Sequence, residues 1–255
     1  MEIFLNFFII FVLGAAVGSF LNVVILRLPE PGESIVYPPS HCPKCKKLLR
    51  WYDNIPILSY FFLKGKCRNC LRPISWQYPA VELLAAVLAL MLWVFYPWHI
   101  FIIRYIFVCL LLVVIWIDIR HQIIPDLITI PGILFGLCLA FLDPVLYWLD
   151  SALGIIIGGG IFYLVALSYY LLTKRQGMGG GDIKFVAMIG AFLGWQSLPF
   201  VIFASSLMGS LVGLVAMVRQ KKGGRTVVPY GPFLASAALL YIFFEKQIIF
   251  FLWAL

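Results

Sequence analysis

Long apolar runs dominate the chain. Read along the sequence they fall at 3–26, 80–96, 100–117, 127–142, 151–173, 183–197, 199–218 and 230–254, each roughly 15 to 25 residues and so near the length that spans a bilayer as a helix. The pattern predicts an all-α polytopic membrane protein with about eight transmembrane helices. The boundary between the sixth and seventh runs, Gly194-Trp195-Gln196-Ser197-Leu198-Pro199, is short and uncharged, and a seven-span reading would need one helix running through it. The polar stretch at 27–79 divides the chain into a first span at 1–26, a loop domain at 27–79 and a membrane-embedded core at 80–255.

Composition agrees with this class. The chain has 63% hydrophobic and only 12% charged residues, with a mean hydropathy of +1.02, far from a soluble globular domain. The charges are informative by position. Of 19 Lys and Arg, nine lie between Arg27 and Arg72, and Arg120, Lys174, Arg175, Lys184, Arg219, Lys221, Lys222 and Arg225 fall in alternate connections. The remaining connections and the chain ends hold Glu2, Asp143, Asp150, Glu245 and Lys246. The positive-inside rule then puts both termini outside and the 27–79 loop in the cytoplasm. The net charge of +8 is a topology signal, and nucleic acid is not an expected partner. The first span opens Met-Glu-Ile-Phe, without a basic region or small-residue cleavage site, and is expected to stay as an anchor. Its Gly14, Ala15, Ala16, Gly18 and Ser19 would permit close helix packing.

Within the loop, Cys42, Cys45, Cys67 and Cys70 form two C-x-x-C pairs. That spacing lets two knuckles present four thiolates to a structural zinc, with no open position for a catalytic water. Two disulfides are the competing reading, disfavoured in a reducing cytoplasm. Cys109 and Cys138 lie inside spans and read as packing residues.

Two aspartates flank the apolar runs: Asp118 in W-I-D-I-R-H-Q-I-I-P-D and Asp182 in M-G-G-G-D-I-K. Carboxylates this close to hydrocarbon are costly and tend to be functional. Both sit at cytoplasmic span ends under the topology above, so they can share one membrane depth. Together they suggest a dyad in which the ionised partner activates water and the neutral one protonates a leaving group, the chemistry of an aspartic protease. Taken singly, Asp118 could be a helix end beside Arg120 and His121, and Asp182 an N-cap after Gly179-Gly180-Gly181. Asp126, after Pro125, competes with Asp118 but reads as the N-cap of the next span.

At this point the residues resemble a family, the type IV prepilin peptidases. The likeness rests on G-S-F-L-N-V-V-I-L-R-L-P from Gly18, the C-x-x-C pairs, N-I-P-I-L-S-Y from Asn54, I-S-W-Q-Y-P-A-V-E-L from Ile74, I-D-I-R-H-Q-I-I-P-D-L-I-T from Ile117, M-G-G-G-D-I-K from Met178 and Y-G-P-F-L-A from Tyr230. The resemblance implies that Asp118 and Asp182 are the catalytic pair, with Asp126 in an accessory position. Tyr230 stands where many relatives have phenylalanine, and some small relatives lack the cysteine loop. It further implies a bacterial inner-membrane enzyme whose substrates are type IV prepilins or type II secretion pseudopilins. Their short basic leader would be cut after glycine at the cytoplasmic face, and the new N-terminal amine methylated with S-adenosylmethionine as donor. No glycine-rich fingerprint marks the methyl-donor site; the region around Glu82 and the knuckles is the candidate. A carrier using the aspartates as a proton relay is the rival class, against which stand their place at span ends and the cysteine loop.

Overall fold

The structure, a computed structural model, describes residues 2–175, 178–220 and 228–253. Lys221, Lys222 and Arg225, counted above among the topology-setting cations, lie outside these. Nine α-helices occur among the described residues: α1 Glu2–Arg27, α2 Leu58–Phe62, α3 Gln77–Phe95, α4 Trp98–His121, α5 Asp126–Ala140, α6 Trp148–Thr173, α7 Gly180–Leu193, α8 Leu198–Gln220 and α9 Gly231–Trp253. The only β pairing described is two isolated bridges in the loop, His41 with Leu48 and Lys66 with Pro73. The chain divides into two compact units, Met1–Phe101 and Ile102–Leu255.

In the first unit α1 and α3 form an antiparallel hairpin. The small residues of α1 are the reason the two backbones touch: a Cβ on Gly18 would stand 2.6 Å from Glu82 Cα, and one on Gly14 2.8 Å from Ala86 Cα. In lipid, where no hydrophobic drive separates helix from solvent, such close approach supplies the van der Waals energy of association. At one end of the hairpin Asn22 Nδ2 donates to the Tyr78 carbonyl at 3.0 Å, and Gln77 Nε2 to Asn22 Oδ1 at 3.4 Å.

The second unit is built around α7. Its residues Phe185 to Leu193 are all buried, as expected of a helix that is apolar on every side. Helix α6 runs antiparallel to it, and Gly154 meets Gly190 so closely that a Cβ on either would overlap the other's carbonyl. Helix α5 runs parallel to α7, with Gly136 against Ala191 and Phe192.

Each of the eight expected runs falls on a helix, but among the described residues six helices rather than eight have the length and apolarity to cross a membrane: α1, α3, α4, α6, α8 with the turn before it, and α9. The protein is a multi-pass membrane protein. Helices α5 and α7 have 15 and 14 residues, a rise of about 22 and 21 Å, against a hydrocarbon core of about 30 Å. Local chemistry sets these ends. Pro125 precedes α5, whereas Gly194, at φ +76°, stops α7 before the 3-10 turn Trp195–Ser197. That positive φ is open to glycine at little cost, and it divides the sixth run from the seventh.

Candidate active site and metal centre

Asp118 lies three residues before the end of α4 and is buried, 5% exposed. Its Oδ2 accepts a hydrogen bond of 2.9 Å from the backbone N–H of Gly231, the first residue of α9 and so one of the unpaired donors of a helix start. Asp182 is half-buried in the first turn of α7. It is not the N-cap: that is Gly179, and no side chain caps the helix. Asp182 lies within electrostatic reach of Asp118, so the fold puts two carboxyl groups 64 positions apart in the sequence into one neighbourhood.

The segment between α4 and α5 makes this approach possible. Ile124 is the spacer: a Cβ on Gly181 would stand 3.0 Å from Ile124 Cβ, and one on Gly231 3.1 Å from Ile124 Cδ1. Both glycines therefore close around one side chain, one beside each aspartate. Gly231 has a second constraint, because a Cβ there would lie 2.7 Å from Asp118 Oδ2. Gly231→Ala must displace the carboxyl group or the α9 start, and misplacement on that scale costs about 100-fold in rate. Leader cleavage by Gly231→Ala protein, with folding followed by circular dichroism, is the check; wild-type activity would show that the contact is not needed.

Asp126 is placed differently. It is the first residue of α5, with Pro125 at the N-cap and no capping hydrogen bond, so the N-cap expectation is not met. Its side chain is 57% exposed and pairs with Lys184 Nζ at 2.6 Å. Arg120 and His121 are exposed at the end of α4.

Neither Gly231 nor Ile124 stood out in the sequence as a site residue. Gly231 carried a signal, glycine before proline at the start of an apolar run within Y-G-P-F-L-A. Ile124 carried none, since its role is a tertiary contact.

The four loop cysteines converge in the first unit. Their sulfurs all lie within 4.8 Å of one another, and none forms a disulfide. Tetrahedral zinc with Zn–S of about 2.3 Å needs sulfurs about 3.8 Å apart, and Cys42 Sγ to Cys70 Sγ is 3.9 Å. The two knuckles repeat one another. Cys42 N–H donates to Lys47 O and Lys46 N–H to Cys42 O; Cys67 N–H donates to Arg72 O and Leu71 N–H to Cys67 O. Lys46 and Leu71 both take positive φ, 58° and 56°. The N–H groups of Cys70 and then Asn69 draw the Cys67 thiol down to about 7. The Arg72 N–H pulls on Cys70, but burial and hydrogen bonds shared with Cys67, Cys42 and Cys45 outweigh it and push that thiol up to about 11. A thiol drawn down in this way gives up its proton to a dication more readily. Of residues 30–76, only Cys42 and Cys67 are buried, so this segment has no apolar core of its own. Beside the knuckles Arg68 forks onto Asp53, with Nη2 to Oδ1 at 2.7 Å, and lies over the Tyr52 ring.

Glu82, buried on α3, accepts a 2.6 Å hydrogen bond from the N–H of Ile57, a residue at φ +65°. It ties N-I-P-I-L to the helical hairpin.

Two family models cover most of the chain. The bacterial peptidase A24 N-terminal domain matches residues 12–96 and the type IV leader peptidase family residues 105–214. A curated relative, the prepilin leader peptidase/N-methyltransferase of Aeromonas hydrophila, is 32% identical over 268 residues, 96% of this chain and 92% of the relative. The chain belongs to the type IV leader peptidase family. The relative of the same name from Stutzerimonas stutzeri is 35% identical, covering 93% of this chain and 90% of its own. That from Myxococcus xanthus is 39% identical over 216 residues, and the chain spans 64% of its length. No solved structure matches. Asp118, Ile124, Asp126 and Asp182 fall within the leader peptidase model, the four cysteines and Glu82 within the N-terminal one, and Gly231 beyond both.

Proposed function

We propose that this protein removes the short basic leader of type IV prepilins or type II secretion pseudopilins, cutting after the leader's last glycine, and then methylates the new N-terminal amine. The observation that carries the reading is that Asp182, at a helix start, lies within electrostatic reach of Asp118, which is buried and oriented by a backbone N–H. Where two carboxyl groups act on each other electrostatically, ionising one disfavours ionising the other, which favours one base and one acid. The carboxylate takes a proton from water as its oxygen bonds to the glycine carbonyl carbon. The neutral carboxyl then protonates the amide nitrogen as the C–N bond breaks, giving a leader ending in glycine carboxylate and a pilin with a free amine. Gly231 N–H holds the Asp118 carboxyl in one orientation through the cycle. A relay role in transport is less well served, since Asp118 and Asp182 both lie at helix ends.

The cation pattern supports a bacterial inner-membrane placement with both termini outside and the cut at the cytoplasmic face. In this reading segment 27–79 is held by zinc on Cys42, Cys45, Cys67 and Cys70, and 80–255 carries the peptidase. S-adenosylmethionine supplies an electrophilic methyl group for the amine, and the region of Glu82 and the knuckles is the candidate place for it, although Glu82 already accepts the Ile57 N–H. The two activities should then separate. Asp118→Asn protein given already cleaved pilin and S-adenosylmethionine is expected to add one methyl group at the wild-type rate, read by intact mass. Failure to methylate while the methyl donor still binds would place both activities in one site.

A further inference from the structure

Arg104 is buried within α4, 2% exposed, inside a run long enough to cross the membrane. An intramembrane arginine is costly unless its donors are used. Its Nη1 donates to the Phe192 carbonyl at 3.0 Å, two residues before Gly194 ends α7. That carbonyl is one of the last four of the helix, which have no partner within it, and a cation at a helix C-terminus also meets the negative end of the helix dipole. The rings of Phe107 and Phe192 stack beside it, centroids 4.5 Å apart and planes 13° apart. On its other side Nη2 stands 3.7 Å from Glu245 Oε2 of α9 and 3.9 Å from Asp143 Oδ2 of the α5–α6 connection. Asp143 is itself fixed, its Oδ1 accepting from the N–H groups of Val145 and Leu146. Glu245 follows Phe244, where α9 leaves helical geometry at φ −118° and ψ 21°.

The register of these contacts points to the dyad. Helix α4 carries Arg104 and, fourteen residues on, Asp118; antiparallel α9 carries Gly231 and, fourteen residues on, Glu245. Each interval is about four turns, or 21 Å. The α4–α9 pair is thus joined at both ends, by Gly231 N–H on Asp118 at one and by Arg104 with Glu245 at the other. Helix α7 is tied to α4 at its far end by the Phe192 carbonyl on Arg104, and its other end carries Asp182 within electrostatic reach of Asp118.

We propose that Arg104 is a positioning residue of the peptidase. It pins the far ends of α7 and α9 to α4, and thereby sets the register at which Asp182 and the Gly231 N–H meet Asp118. The proposal rests on the dyad reading for its effect on rate, but the pin itself can be observed without activity.

The test combines a geometric and a kinetic readout. In full-length protein in lipid vesicles, Asp118→Cys with Asp182→Cys reports the approach of the two positions by disulfide formation, mapped by mass spectrometry. Adding Arg104→Met is expected to lower the yield of that cross-link at least fivefold in the monodisperse, fully helical fraction. In the protein with both aspartates, Arg104→Met should lower kcat for leader cleavage about 10- to 100-fold with KM within about twofold, because uniform binding is untouched. Arg104→Lys, which keeps the charge and one donor, should recover part of both. If Arg104→Met does not yield folded protein, Arg104→Lys and Glu245→Gln are read by the same two measurements, and each should show an intermediate loss. Cross-linking and kcat unchanged in these folded variants would overturn the proposal, as would a loss of thermal stability alone. Full cleavage by Asp118→Asn would instead remove the dyad reading, while the cross-link would still decide whether Arg104 sets the register.

Discussion

Asp118→Asn and Asp182→Asn should each lower kcat/KM for leader cleavage by about a thousandfold or more, since a positioned acid or base contributes about 10²–10⁴-fold and each variant disables one of the two. Asparagine matches aspartate in shape, and its amide oxygen can still accept the Gly231 N–H that now reaches Asp118 Oδ2 at 2.9 Å. The fold should survive, and membrane insertion and helix content should match wild type. Asp126→Asn is the internal comparison. It removes only an exposed pair with Lys184, a contact of the kind worth about 0–1 kcal/mol, and cleavage should stay within about threefold of wild type. An inactive Asp126→Asn beside an active Asp118→Asn would mean that the first aspartate of the dyad is misassigned. Rates on one prepilin in one lipid composition decide between these.

Replacing any one of Cys42, Cys45, Cys67 or Cys70 by serine should release the metal and unfold segment 27–79. Residues 30–76 bury only Cys42 and Cys67, so little apolar burial remains to offset the entropy of ordering the chain. A structural zinc contributes about 10–16 kcal/mol of binding free energy in small thiolate sites, which is the scale such a segment needs. The positive φ at Lys46 and Leu71, costly for residues with a Cβ, is held by the knuckle hydrogen bonds and should relax when a ligand is lost. Limited proteolysis should then cut within 30–76 while α1 and α3 stay protected. Metal analysis of reduced protein should show one zinc per chain, falling to a small fraction in each variant; zinc-free wild-type protein with a protease-resistant loop would refute the assignment.

Much of this was legible in the chain because it depends on local spacing. The apolar runs mark helices, the two C-x-x-C pairs mark a four-sulfur cluster, and Gly14 and Gly18 mark the close face of α1 against α3. The limits of α5 and α7 were less legible, because apolar composition continues past the points where Pro125 and Gly194 break the backbone. Asp118 and Asp182 were visible as carboxylates near hydrocarbon, and their pairing was an inference from topology. What arranges them was hidden. Ile124 is an ordinary apolar residue until Gly181 and Gly231 close on it. Arg104 is legible as a cation inside an apolar run, but its partners, the Phe192 carbonyl, Asp143 and Glu245, come from three other parts of the sequence.

The most direct measurement is the intact mass of one full-length prepilin incubated in lipid vesicles with the purified protein and no methyl donor. The expected spectrum shows a single cut after the leader's last glycine, with no added methyl group, in the wild-type sample, and uncut substrate with Asp118→Asn or Asp182→Asn. An intact prepilin in the presence of folded wild-type protein, or the same cut made at full rate by either asparagine variant, would contradict the assignment of Asp118 and Asp182 as the peptidase dyad.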